Sequence, residues 1–139
     1  MESISQRQLQ VGVKIFLTNE AGEVLLLKRN RETHADVGEQ WDIPGGRINI
    51  GEPLFVNLSR EVAEETGLEL VGEPSILLAQ DIFPEGKHVV RITYTGKAIG
   101  TIVLSKEHTE FAWVTRETLI KRLDSVTKEA LNAFLAFHV

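Results

Sequence analysis

One stretch, Pro53 to Thr66, carries a helical apolar pattern in mid-chain, and most other apolar runs are strand-like. Val11 to Leu17 (VGVKIFL) and Glu23 to Leu27 (EVLLL) are separated by Thr18-Asn19-Glu20-Ala21-Gly22. That turn chemistry predicts two strands joined as a hairpin. Trp41 to Ile43 reads as a short extended piece ended by Pro44-Gly45-Gly46. Pro53 suits a first helical turn and Gly67 a C-terminal stop. Leu68 to Ile82 and Lys87 to Ile99 predict two more strands around the Phe83-Pro84-Glu85-Gly86 turn, and Glu110 to Val114 a further short one. Asp124 to Phe137, with Val126, Ala130, Leu131, Phe134 and Leu135, has the spacing of an amphipathic helix. Strands outnumber helices, which makes the fold class mixed α/β or α+β.

The 139 residues suit a single domain, 1–139, with 42% apolar and 25% charged residues, the balance of a soluble globular chain. There is no cysteine, so a disulfide framework, a thiolate zinc site, an iron–sulfur cluster and a cysteine nucleophile are excluded. Fifteen Lys and Arg against 20 Asp and Glu give a formal charge of −5, no global field for a polymeric nucleic acid. An acidic chain of this kind binds phosphates locally, often through metal ions. No apolar run approaches the ~20 residues that cross a bilayer, and MESISQRQLQ lacks the apolar core of a signal peptide. The expected partner is therefore no membrane, and the expected compartment is the cytoplasm. Lys28 to Gln40, polar and almost free of large apolar residues, reads as a functional loop between strands.

The chemistry concentrates on the mid-chain helix. At about 100° per residue and with Glu61 at zero, Leu54, Leu58, Val62 and Phe55 fall at about 20°, 60°, 100° and 120°. Glu65 falls at about 40°, inside this apolar arc, and Glu64 at about 300°, on the same side as Glu61. Glu61 with Glu64 and with Glu65 are like-charge neighbours at i,i+3 and i,i+4. They also stand near the helix C-terminus, where the macrodipole disfavours negative charge. Arg60 offsets only part of this. A partly buried carboxylate cluster needs a raised pKa or a cation, and hard divalent ions such as Mg²⁺ or Mn²⁺ prefer carboxylate and carbonyl oxygens. A solvated acidic helix with one or two internal ion pairs is the competing reading, and the residues alone leave both open.

The spacing of these residues also resembles a known family. Gly46, Glu52, Arg60, Glu61, Val62, Glu64, Glu65, Gly67 and Leu68 occupy every specified position of G-x5-E-x7-R-E-U-x-E-E-x-G-U, the Nudix box, with U a bulky aliphatic. Seven fixed matches at about 6% per residue type have a chance probability on the order of 10⁻⁹ per register. Trp41-Asp42-Ile43-Pro44-Gly45 is similar to the family's approach strand, and Glu110 to Val114 extends a looser likeness downstream.

The resemblance implies a Nudix fold, a mixed sheet between helices, with the box as loop–helix–loop. It implies Mg²⁺-dependent hydrolysis of a nucleoside diphosphate linked to a moiety X, by water attack on a pyrophosphate phosphorus. Glu64 and Glu65 become metal ligands, with the Gly46 carbonyl assisting. Glu61 binds metal or deprotonates the attacking water, Arg60 orients a box carboxylate, and Glu52 adds charge or a water-mediated contact. Glu110 and Glu107 are the two candidates for a further ligand or base opposite the box. Arg29, Arg31, Lys87 and Arg91 are candidate phosphate or sugar contacts, the plainer reading of Lys87, Arg91 and Lys97 being a solvated sheet face. His34, His88, His108 and His138 show no paired metal spacing. The leading substrate class is a nucleoside triphosphate, cut to the monophosphate and pyrophosphate. ADP-ribose or a similar nucleoside-diphosphate derivative is second, Pro84 lying sixteen residues past Leu68. A non-catalytic nucleotide-sensing domain is the rival of another class, and relatives are commonly homodimers.

Overall fold

The computed structural model describes residues 7–30, 32 and 41–137. Its elements are, in order, β1 (Gln8–Thr18), β2 (Val24–Arg29), β3 (Trp41–Asp42), β4 (Gly45–Arg47), α1 (Leu54–Thr66), β5 (Glu69–Ile82), β6 (Lys87–Ile99), β7 (His108–Val114), α2 (Arg116–Arg122) and α3 (Ser125–Phe137). One mixed sheet runs β3-β2-β1-β6-β5, with β4 added on β1 and β7 on β2. β1 and β6 are parallel from Gln8↔Lys87 to Thr18↔Lys97, and the other pairs are antiparallel.

The predicted hairpin forms, but its ladder is only the pair Thr18↔Val24. Asn19 closes the turn by accepting from the Ala21 and Glu23 amides. Beyond it β1 turns its edge to β4, at Gly12↔Arg47 through Lys14↔Gly45, while β2 pairs with β7 and β3.

Alternation along β1 divides the core. Val13, Ile15 and Leu17 face Leu58 and Val62 of α1, while Phe16 faces α2 and α3 with Leu119, Leu131 and Phe134. Burial on both faces explains the nearly continuous apolar runs of β1 and β2. Stacking of Phe16 on Phe134, centroids 4.7 Å apart, seats α3.

Several details correct the sequence reading. α2 was unforeseen because its only buried residue is Leu119, which leaves no apolar period to detect. Its start is fixed instead by Thr115, whose hydroxyl accepts from the Thr118 amide. β4 is three residues of Gly-Gly-Arg and has no apolar signature. Phe55, placed in the apolar arc of α1, is exposed, and Asn57 and Thr66 are buried in its stead. In α3 Thr127 is buried while Val126 is partly exposed. Most of the Lys28–Gln40 loop, and His34 and His138, lie outside the described residues.

Candidate active site

The helix α1 begins at Leu54; Pro53, expected in the first turn, is instead the extended residue just before it and provides no side-chain cap. Asn57 organises the loop in front of it. Its Oδ1 accepts from the Asn49 amide and from Arg60 Nη2, each at 3.0 Å. At the other end Gly67 takes the left-handed conformation (φ 74°) that a C-terminal stop requires, as its position predicts. Thr66 is held inside by a bond from its hydroxyl to the Val62 carbonyl.

This frame gives the four box glutamates different surroundings. Arg60 binds three of them: its Nε donates to Glu52 at 3.1 Å, its Nη1 to Glu64 at 3.0 Å and its Nη2 to Glu61 at 3.3 Å. Glu64 is otherwise solvated, with its side chain 58% exposed. Glu65 is 4% exposed, beneath the helix, where its Oε1 accepts from the Gly45 amide at 3.2 Å. Glu61 presses on Gly46, where a Cβ would stand 2.9 Å from the carboxyl carbon. Gly45, at φ 143°, lies so close to β1 that a Cβ would meet the Val13 carbonyl oxygen at 2.0 Å. Two glycines in a row thus let β4 slide between β1 and the acidic helix.

Burial pushes the Glu65 carboxyl up to about 8; Lys14 and the Gly45 amide oppose this, and Glu61 and Asp42 add to it. Glu61 is also raised, first by burial, with Arg60 opposing and Glu64 and Glu107 reinforcing. Among the described residues no three acidic or histidine side chains converge as a ready-made metal cage. The donor set nevertheless fits a hard divalent cation. Glu61, Glu64 and Glu65 offer carboxylate oxygens from one helix, and buried Glu65 and half-buried Glu61 carry a charge penalty that a cation removes.

The further candidates separate. Glu107 is close enough to Glu61 to raise it. Glu110 is ion-paired with Lys28 at 2.9 Å on an exposed surface and is not among the groups acting on Glu61. Arg31 lies outside the described residues. Lys87 stands opposite Gln8 at the start of β6 and does not line the cavity next to the box. Pro84 caps the β5–β6 turn by accepting from the Lys87 amide, and it too is absent from that cavity. His88 pairs with Asp81 at 2.8 Å.

That cavity, about 420 Å³, opens where β1, β4 and β6 meet the start of α3. Its polar wall is Lys14, Arg29, Asp42, Arg47, Arg91 and Asp124, and Ile82, Val89 and Val126 are apolar parts of its lining. Arg29 and Arg91 are therefore brought together, and the solvated-face reading fails for Arg91, which is 8% exposed. Asp42 is the hub. Its Oδ2 accepts from Lys14 Nζ and Arg29 Nη2, both at 2.8 Å, and Arg91 stands 3.9 Å from Oδ1. Burial alone would raise this carboxyl, but Lys14, Arg29 and Arg91 together hold it well below the usual carboxylate range. Lys14 and Asp42 escaped the sequence reading, although a lone lysine inside VGVKIFL and a lone acid inside WDI were signals of a buried pair. Gly46 belongs to both places, lining the cavity and backing Glu61.

The NUDIX domain model matches residues 8–134. The chain belongs to the Nudix hydrolase family. It is 32% identical over 114 residues to the 8-oxo-dGDP phosphatase NUDT18 of Homo sapiens, covering 78% of this chain and 33% of that protein. It is also 32% identical over 100 residues to the putative 8-oxo-dGTP diphosphatase 2 of Mycobacterium tuberculosis, covering 69% and 67% respectively. The chain thus spans about a third of the human relative and two thirds of the mycobacterial one. The crystal structure of a MutT protein from Methanosarcina mazei Go1 superposes with a TM-score of 0.83 at 31% identity, covering 96% of this chain and 97% of that one. The Nudix fold expected from the box is the fold observed, and Nudix hydrolases as a family use divalent metal ions. Among the described residues no helix is long and apolar enough to cross a membrane.

Proposed function

We propose that this Nudix protein is a Mg²⁺-dependent pyrophosphohydrolase that cuts a nucleoside diphosphate linked to a moiety X. The leading substrate is a nucleoside triphosphate, cleaved to the monophosphate and pyrophosphate. One observation carries the reading: Gly46 is a wall shared by the acidic face of α1 and the cavity, so carboxylates and a small-molecule site adjoin. The names of the human and mycobacterial relatives, both oxidised-guanine nucleotide enzymes, support a nucleotide substrate.

Glu61, Glu64 and Glu65 would hold the metal, with Mn²⁺ as a substitute, and the Gly46 carbonyl would assist. When bound, the ion neutralises phosphate oxygens and acidifies water. Arg60 spaces the carboxylates, bonding Glu64 at 3.0 Å on the exposed side of the helix and Glu61 at 3.3 Å. Glu61, raised by burial, is the group to take the proton of the attacking water, at Oε2, the oxygen that Arg60 leaves unbonded. Glu107 is the alternative base, and Glu52 contributes through Arg60. The protein acts in the cytoplasm on a free small molecule.

ADP-ribose or a related nucleoside-diphosphate derivative is the second reading; its sequence hint, Pro84, lies in the β5–β6 turn, where its carbonyl accepts from the Lys87 amide. A sensing domain without catalysis would have shed a box carboxylate, and all four are present.

The test is a substrate panel of canonical and oxidised triphosphates, ADP-ribose, dinucleoside polyphosphates and nucleotide sugars, read by product mass. With Mg²⁺ the expected products are monophosphate and pyrophosphate, and both disappear on chelation and in Glu64→Gln. Equal product release in all three conditions removes the proposal.

A further inference from the structure

A buried donor without an acceptor costs stability, so a buried amide with an idle nitrogen calls for a reason. Asn57 is such a group. It is fully buried on α1, and among the described residues its Nδ2 finds no hydrogen-bond partner. Its Oδ1 accepts from two donors, the Asn49 amide and Arg60 Nη2. Turning the amide over would only set Nδ2 against both of them. The position needs an acceptor that carries no charge. An apolar side chain would leave the Asn49 amide and Arg60 Nη2 without the oxygen they share. Aspartate would supply it, but would add a carboxylate beside Glu52, Glu61 and Glu64, which already share one arginine. Asparagine meets the need and leaves Nδ2 idle.

The nitrogens of Arg60 are divided among these groups. Nε donates to Glu52 and Nη1 to Glu64, while Nη2 is shared between Asn57 at 3.0 Å and Glu61 at 3.3 Å. The bond to Glu61 is the longest of the set. A guanidinium seated squarely on a carboxylate, with two parallel bonds, would compete with a cation for the same oxygens. Asn57 draws Nη2 toward the buried side of the helix and so limits that closure. Its second bond, to the Asn49 amide, ties down the loop that follows Gly46, the residue on which Glu61 rests.

We propose that Asn57 is a positioning residue for the metal-binding carboxylates, its Oδ1 holding Arg60 Nη2 back from Glu61 so that Glu61 stays open to a divalent cation. It acts through Arg60 and touches neither metal nor substrate. This rests on the metal site given under the proposed function. Held by Asn57, Arg60 orients the acids; released, it settles on one of them.

The experiment titrates Mn²⁺ by calorimetry into the wild type, Asn57→Leu, Asn57→Asp, Arg60→Met and the double variant Asn57→Leu with Arg60→Met. Leucine has nearly the shape of asparagine but no acceptor, so Asn57→Leu should weaken Mn²⁺ binding by about tenfold or more. Aspartate keeps the acceptor, so Asn57→Asp should bind Mn²⁺ at least as tightly as the wild type. Whatever Arg60→Met does alone, adding Asn57→Leu to it should change nothing further, because the arginine through which Asn57 acts is gone. A residue that merely packs the loop would lower the melting temperature and leave Mn²⁺ affinity alone, or would weaken it equally with and without Arg60. Either result overturns the proposal, and so does an Asn57→Asp that binds no better than Asn57→Leu. Should Asn57→Leu not fold, Asn57→Ala, smaller and a good helix former, makes the same comparison. A wild type that takes up no Mn²⁺ overturns the metal reading and this proposal with it. Wild-type binding that Asn57→Leu does not move strikes the role of Asn57 alone.

Discussion

The carboxyl of Glu61 rests against the α-carbon of Gly46, with 2.9 Å between its carbon and the point where a Cβ would stand. The contact is with the end of a long side chain, and Gly46 does not have a positive φ. Gly46→Ala should therefore move Glu61 and spare the backbone. We expect stability within ~1 kcal/mol of wild type with hydrolysis reduced by about tenfold or more. Gly45→Ala is the contrasting case, since its Cβ would meet the Val13 carbonyl oxygen at 2.0 Å with φ at 143°. That variant should unfold or melt far lower. Thermal denaturation beside hydrolysis rates separates the two outcomes, and equal melting temperatures for both would contradict this geometry.

Arg60 spans Glu52, Glu61 and Glu64 within 3.3 Å. Lysine keeps the charge but cannot reach three carboxylates with a planar fork. Arg60→Lys should weaken Mn²⁺ binding by about tenfold to a hundredfold, as loss of an outer-shell partner does at metal sites. Titration calorimetry of wild type and variant measures it, and an unaltered affinity would leave Arg60 with surface ion pairs only.

Much of this arrangement was legible in the sequence. The Nudix box spells out α1, its stop at Gly67 and the acids at 61, 64 and 65, because local spacing alone places them. Glu65 inside the apolar arc of the wheel already foretold its burial. The cavity was not legible in the same way. Lys14, Asp42, Arg91 and Asp124 come from four distant parts of the chain, and only the parallel pairing of β1 with β6 and the docking of α3 bring them together. Periodicity reports which face a residue uses, and it is silent about which strand will lie alongside. Lys87 and Arg91 show the difference: four residues apart, they share a face by strand alternation, yet only Arg91 lines the cavity.

Asp42 makes stability depend on acidity. Its native carboxyl is held below the usual range, so the folded state binds its proton less readily than the unfolded chain. The stabilisation is present above the unfolded value of about 4 and is lost as pH falls through the lower native value. Asp42→Asn should lose about 3–5 kcal/mol at pH 7, since Lys14, Arg29 and Arg91 are left without their shared anion. It should also flatten the decline in stability from pH 5 to pH 2 relative to wild type. Urea unfolding across that range checks both, and parallel pH curves for the two proteins would show that Asp42 is not the hub.

Glu65 has the opposite sign. Its carboxyl is raised to about 8 by burial, so the native state holds a proton that the unfolded chain has released. Stability from this group is complete below the unfolded value of about 4.3 and drains away as pH rises toward 8. Glu65→Gln, neutral at every pH, should remove that decline and make the metal-free protein more stable than wild type at pH 8 and above. A cation bound at Glu65 requires the carboxylate, so metal uptake near pH 7 should release close to one proton per ion. Calorimetry of Mn²⁺ binding in buffers of different ionisation enthalpy counts that proton, and Glu65→Gln should bind weakly without releasing it. Binding with no proton release near pH 7 would mean that the ion sits away from Glu65.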